Sequence, residues 1–141
     1  MADSALQRLP GMIEILVVDD DALMRGLLAE WLGAAGYRVR EAEHGGAALQ
    51  MLRNRRANLL ITDMDMPGRD GAQTMVEARR VVPGLPVIAI SGGTHEGQES
   101  WMAIARNFGA ARVLAKPFGR EALLAAVEDI LPKGRSRAVQ P

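Results

Sequence analysis

Along the chain, strand-length apolar segments alternate with stretches in which apolar residues recur every three or four positions. The strand-like segments are Ile13 to Val18 (IEILVV), Tyr37 to Glu41, Leu59 to Ile61, Pro86 to Ile90 (PVIAI) and Ala111 to Ala115. Between them lie helical spacings. Leu23, Leu27, Leu28, Trp31 and Leu32 predict a first helix stopped by Gly36, and His44 to Arg55 predicts a second with a weaker stripe of Ala48, Met51 and Leu52. Two glycines at its start weaken that second helix further. Ala72, Met75, Val76 and Arg79 predict a third helix closed by Pro83, Trp101, Ile104, Ala105 and Phe108 a fourth ended by Gly109, and Leu123, Leu124, Val127, Ile130 and Leu131 a last one. Five strand–helix units in succession imply a parallel sheet with helices on both faces, because right-handed crossovers leave little else.

The stretch Leu59 to Gly71, LLITDMDMPGRDG, organises the rest. Its apolar start suits a central parallel strand, while Pro67, Gly68 and Gly71 forbid regular structure beyond Met66. Asp63 is thereby predicted at a carboxyl-terminal strand edge, where the loops of an open α/β sheet converge side chains on one point. The other strands deliver chemistry to that edge too: Asp19 and Asp20 after the first, Ser91 after the fourth and Lys116 after the fifth.

Composition narrows the classes of function. At 141 residues and 48% hydrophobic, the chain is long enough for one domain with a proper core. Residues 1–12 are expected to be a polar extension, 13–131 the domain and 132–141 a tail. Absence of cysteine excludes disulfides and thiolate metal sites and suits a reducing cytoplasm. The apolar runs are too short to cross a bilayer, and MADSALQRLPGM lacks the basic and apolar regions of a signal peptide. Seventeen basic residues balance seventeen acidic ones, and aromatics make up only 4%, so neither phosphate neutralisation nor base stacking points to nucleic acid.

Three carboxylates converging on one edge repel one another unless they share a hard cation. Magnesium fits, since it takes oxygen ligands and is usually held by one or two carboxylates together with phosphate oxygens. A lysine and a hydroxyl suit the remaining oxygens of a phosphoryl group, with Asp63 as nucleophile to form an acyl phosphate. Each residue alone has a plainer reading: an acid after a strand is ordinarily a helix N-cap, a serine a turn residue, a lysine a solvated charge. Their conjunction reverses those readings. His95 and Glu96 do not make a zinc motif, because position 99 is Glu where the motif needs a second histidine. His44 is expected at a surface or a cap, Met64 and Met66 in packing, and Gly92 and Gly93 in the service of the loop backbone, since the G-K-[ST] of a phosphate loop is missing.

At these residues the chain resembles the receiver domains of bacterial two-component response regulators. The matching segments are VVDDDALMR (Val17 to Arg25), D-x-x-M-P-x-x-D-G (Asp63 to Gly71), AISGG (Ala89 to Gly93) and KPF (Lys116 to Phe118), within a resemblance running from Ile13 to Leu131. The resemblance implies a flavodoxin-like (βα)5 doubly wound fold with strand order 2-1-3-4-5. It also implies that Asp63 accepts phosphate from a phosphohistidine on a sensor histidine kinase or histidine phosphotransfer protein. Asp19 and Asp20 would hold Mg²⁺ beside Asp63, joined by the backbone carbonyl of Asp65; Ser91 would bind and report the phosphoryl group, and Lys116 would contact it. A cis Lys116–Pro117 bond is expected, aiming the ammonium at Asp63. Such a domain catalyses only its own phosphorylation and dephosphorylation, and the resemblance allows a homodimer through the fourth helix, fifth strand and fifth helix. Little sequence follows Leu131, so the chain reads as a single-domain regulator or a receiver cut from a longer protein.

Two positions depart from the family pattern. Val113 stands where receivers commonly carry Tyr or Phe, so an aromatic rotamer switch cannot operate; a void there could be partly filled by Trp101. Asp65 adds a carboxylate beside the acceptor, and Gly93 leaves room for a water. The alternative reading is a Mg²⁺-dependent phosphatase resembling the haloacid dehalogenases, whose D-x-D core matches Asp63, Met64 and Asp65. In that family the acidic pair for the metal follows the lysine, whereas here it precedes everything. A flavodoxin would need a hydroxyl-rich loop after the first strand, where this chain has three aspartates.

Overall fold

The computed structural model describes residues 13–65, 71–92 and 103–131. The terminal segments 1–12 and 132–141 lie outside them, as do Met66, the Pro67–Gly68 stop, Gly93, His95 and Trp101. The elements run β1 (Glu14–Val18), α1 (Ala22–Ala34), β2 (Arg38–Ala42), α2 (Gly45–Asn54), β3 (Leu59–Asp63), α3 (Gly71–Val81), β4 (Val87–Ser91), α4 (helical over 103–107), β5 (Arg112–Ala115) and α5 (Arg120–Ile130). The five strands are all parallel, in the order β2-β1-β3-β4-β5. This is the doubly wound arrangement that the resemblance implied.

Alternation along the strands sends successive side chains to opposite faces. Leu16, Val18, Leu60, Val87 and Ala89 pack with Leu49 and Leu52 of α2, Met75 of α3 and Ala105 of α4. Ile15, Val17, Ile61, Ile88 and Ile90 pack with Leu28 and Leu32 of α1 and Leu123 and Val127 of α5. The three inner strands are buried along their whole length, while β5 at the edge is only partly so. At roughly 2 kcal/mol for each large apolar side chain removed from water, this burial gives the inner strand ends a rigid base.

Local chemistry sets the boundaries. Asp21 is the N-cap of α1, its carboxylate accepting from the amides of Leu23 and Met24, so of three successive acids only this one is spent on the helix. His44 caps α2, where Nδ1 accepts from the Ala47 amide at 3.1 Å. Gly36 and Gly109, with φ of 101° and 87°, supply the left-handed residues that turn the chain out of α1 and α4. β2 sits one residue later than the apolar pattern predicted, because Ala42 extends the ladder, accepting from the Asp19 amide at 3.1 Å.

At the amino-terminal end of β1, Glu14 is buried against two arginines. Arg40 forms an ion pair with it, and Arg55 Nη2 approaches its Oε2 at 2.8 Å. Arg40 also donates to the carbonyls of Met51 (3.2 Å), Arg55 (2.8 Å) and Arg56 (3.1 Å), closing the end of α2. Burial pushes the Arg40 guanidinium below its ordinary range, and the Glu14 carboxylate opposes that shift. Among the described residues, no helix is long and apolar enough to cross a membrane.

Candidate functional site

The site lies where β1, β3, β4 and β5 end. Asp19, directly after β1, is fully buried, and its Oδ1 accepts from the Asp21 amide at 2.9 Å. Its carbonyl accepts from Arg25 Nη1 at 2.8 Å, while Arg25 Nε pairs with Glu41 at 3.2 Å. The loop carrying the acids is thus fastened to α1 and, through Glu41, to β2.

Asp63 is the last residue of β3 and is almost completely buried. The Met64 amide continues the ladder onto Ile90 O at 2.8 Å, and the Asp65 amide donates to Asp63 Oδ1 at 3.0 Å. Close approach of α3 defines the floor: a Cβ on Gly71 would fall 2.6 Å from Met64 Cα and 2.7 Å from Asp63 O, which only glycine avoids. Met64 is buried in the core, as its packing role predicted.

Lys116 follows β5, its amide donating to Ser91 O at 2.8 Å, and the Lys116–Pro117 bond is cis, as expected. Its Nζ stands 3.5 Å from Asp63 Oδ2 and 3.9 Å from Asp19 Oδ2. One carboxylate oxygen from each of Asp19, Asp20 and Asp63 lies within 4.8 Å of the other two, with Asp20 exposed at the mouth. Among the described residues a single ammonium stands near these carboxylates, so negative charge is left over there.

Two buried atoms expose what is missing. Among the described residues Asp19 Oδ2 and Ser91 Oγ have no hydrogen-bond partner, although such groups are ordinarily satisfied; away from this site the same holds for Arg40 Nε, which faces Glu14, and for Arg55 Nε. An acceptor beside two further carboxylates fits a divalent cation, and a free hydroxyl beside a lysine fits an anionic oxygen. Loss of solvation is the main reason that the Asp19 carboxyl is raised to about 6; the Asp21 amide counteracts it, Asp63 adds repulsion, Lys116 lowers the value and Asp20 raises it.

Asp19, Asp20, Asp63 and Lys116 are therefore brought together as the strand ends predicted, with Ser91 at the end of the adjacent strand. The Asp65 side chain is exposed, and only its amide touches Asp63. Val113 is half-buried and packs against the core that includes Ala105, as Ile104 also does. Sequence reasoning missed Arg25, whose position four residues after the helix-capping Asp21 was the available signal. It also assigned Gly92 to loop backbone, whereas its φ is not positive and its neighbour is the Lys116 side chain.

Residues 15–128 match the family described as the response regulator receiver domain. The chain is 36% identical over 117 residues to the transcriptional regulatory protein GlrR of Escherichia coli K12, covering 83% of this chain and 26% of that protein. It is 34% identical over 118 residues to the chemotaxis protein CheY of Halobacterium salinarum, covering 84% of this chain and 96% of that one. Among solved structures, the receiver domain of NtrX from Brucella abortus superposes with a TM-score of 0.75 at 34% identity, over 83% of this chain and 97% of that one. Vibrio cholerae CheY4 gives 0.75 at 28% identity, over 85% and 99%. The chain thus spans about a quarter of GlrR and nearly all of the archaeal CheY.

Proposed function

Because this chain belongs to the receiver domains of two-component response regulators, we propose that Asp63 is its phosphoacceptor and that a phosphohistidine on a sensor histidine kinase or histidine phosphotransfer protein is the donor. A carboxylate oxygen of Asp63 forms a bond to phosphorus as the N–P bond to the imidazole breaks, and the electron pair stays on the departing nitrogen. The product is an acyl phosphate. Family membership sets aside the phosphatase reading that the Asp63–Asp65 spacing opened.

The observation that carries this reading is the unbalanced cluster: carboxylates of Asp19, Asp20 and Asp63 within 4.8 Å, one ammonium among the described residues at 3.5 Å from Asp63, and a buried Asp19 oxygen that accepts no hydrogen bond. Asp19, Asp20 and Asp63, with the carbonyl of Asp65, would hold Mg²⁺. When bound, the ion neutralises charge on the phosphoryl oxygens. Lys116 presents its ammonium to the transferred group, and the Ser91 hydroxyl donates to one of its oxygens. With Val113 in place of an aromatic residue, the response to phosphate passes through Ser91 and the chain that follows it and alters binding to a protein partner. The cytoplasm is the compartment this partnership requires.

The test is incubation with a small acyl phosphate in Mg²⁺ buffer, followed by intact mass and peptide mapping. The expected result is one base-labile phosphoryl group per chain, on Asp63. An adduct elsewhere, no adduct, or continuous hydrolysis of the donor by an unlabelled chain overturns the reading.

A further inference from the structure

Gly92 is buried directly after β4, and its φ is not positive, so its backbone does not call for glycine. The reason for glycine lies in space. A Cβ built there would fall 2.6 Å from Lys116 Cδ, 3.3 Å from Cε and 3.4 Å from Nζ, so the lysine stem crosses the place a side chain would occupy. Strand pairing fixes this crossing, since Ser91 is in register with Ala115 and the Lys116 amide donates to Ser91 O at 2.8 Å. From there Nζ stands 3.5 Å from Asp63 and 3.9 Å from Asp19.

We infer that Gly92 is a positioning residue: its missing Cβ sets where the Lys116 ammonium stands between Asp63 and Asp19, and so sets the affinity of the acidic cluster for Mg²⁺ against the readiness of Asp63 to take phosphate. Among the described residues, the three atoms nearest such a Cβ all belong to the flexible stem of one lysine, so the stem moves and the fold does not. Displacing the ammonium removes a positive charge that competes with the cation, at a separation where like charges oppose each other strongly. It also withdraws the charge that greets an incoming phosphoryl group. The second half of this inference rests on Asp63 as acceptor; the first half does not.

The experiment is a double-mutant cycle on the full chain with Gly92→Ala, Lys116→Ala and both together, read by calorimetric titration with Mg²⁺ in the absence of any phosphodonor. Gly92→Ala is expected to unfold at nearly the parent temperature and to bind Mg²⁺ about threefold more tightly, with Lys116→Ala tighter still, about tenfold. In the Lys116→Ala background, Gly92→Ala should change nothing. Phosphoryl uptake from acetyl phosphate should slow in Gly92→Ala. Unchanged Mg²⁺ affinity, an equal effect without the lysine, or a large loss of thermal stability overturns the inference. A parent chain that takes no label while the Mg²⁺ cycle behaves as expected defeats the acceptor reading alone and leaves the positioning role standing.

Discussion

At the start of β1, Glu14 is buried between Arg40 and Arg55, whereas just past the end of the same strand Asp19 is buried with one oxygen that accepts no hydrogen bond among the described residues and has the Lys116 ammonium only at 3.9 Å. Both carboxylates lost solvation on folding, which costs several kcal/mol unless it is compensated. At the first, two guanidiniums and a closed helix end provide the compensation within the chain. At the second, carboxylates gather around one ammonium, and a buried hydroxyl is left idle nearby. Burial of charge is common to both ends of the sheet, but among the described residues the first leaves a surplus of positive charge and the second a surplus of negative charge, which suits a cation.

The comparison breaks most sharply under paired substitutions. Asp63→Asn should abolish labelling by acetyl phosphate, with no loss of thermal stability in metal-free buffer, because one of three crowded carboxylates is gone. Residual base-labile label in that variant, or a clear fall in unfolding temperature without Mg²⁺, would contradict the assignment. Arg40→Met should do the reverse. It leaves Glu14 short of a partner and frees three carbonyls at the end of α2, lowering unfolding free energy by about 3 kcal/mol in urea titrations. Labelling of the folded fraction should be unchanged. If Arg40→Met altered labelling at constant stability, the two ends would not be independent.

A smaller effect separates them by pH. The folded Asp19 carboxyl titrates at about 6, above the ordinary 3.8. Between those values the folded chain holds a proton that the unfolded chain has released, so the contribution to stability is present below about pH 4 and is lost as pH rises through about 6. The loss should be about 3 kcal/mol in chelator. Comparison with Asp19→Asn isolates it: the parent should lose stability relative to the variant across that range, and Mg²⁺ should restore it above pH 6. Parallel stability curves for the two proteins would show that Asp19 is not the group responsible.

These contrasts also mark what could be read from the chain alone. Strand ends are written in the sequence as a change from apolar to acid, hydroxyl or lysine, so Asp19, Asp63, Ser91 and Lys116 were legible once parallel βα units were recognised. Asp20 and Asp21 look alike in sequence, and the hydrogen bonds to Leu23 and Met24 alone decide which one caps α1. Glu14 and Arg55 are 41 residues apart, and nothing in a strand-like IEILVV announces that its acid will be buried against two arginines. The contact at Gly92 was hidden for a similar reason. Glycine in a loop suggests unusual backbone, whereas the contact that excludes a side chain comes from Lys116 on a different strand.

Asp65 tests how far the surplus of negative charge extends. Its side chain is exposed, and only its amide reaches Asp63 Oδ1, at 3.0 Å. Its charge therefore acts through solvent, where salt limits it to a small effect. Two actions remain open to it, and both work in the same direction: repulsion disfavours the phosphorylated state, and a carboxylate near the acyl phosphate can orient or deprotonate an attacking water. Asp65→Asn should accordingly lengthen the lifetime of phosphorylated protein about threefold in Mg²⁺ buffer, measured as decay of label after donor removal. Raising the salt concentration distinguishes the two actions. A lifetime gain that fades with salt belongs to repulsion, and one that persists belongs to general base catalysis. An unchanged or faster decay in Asp65→Asn at every salt concentration would confine the functional carboxylates to Asp19, Asp20 and Asp63.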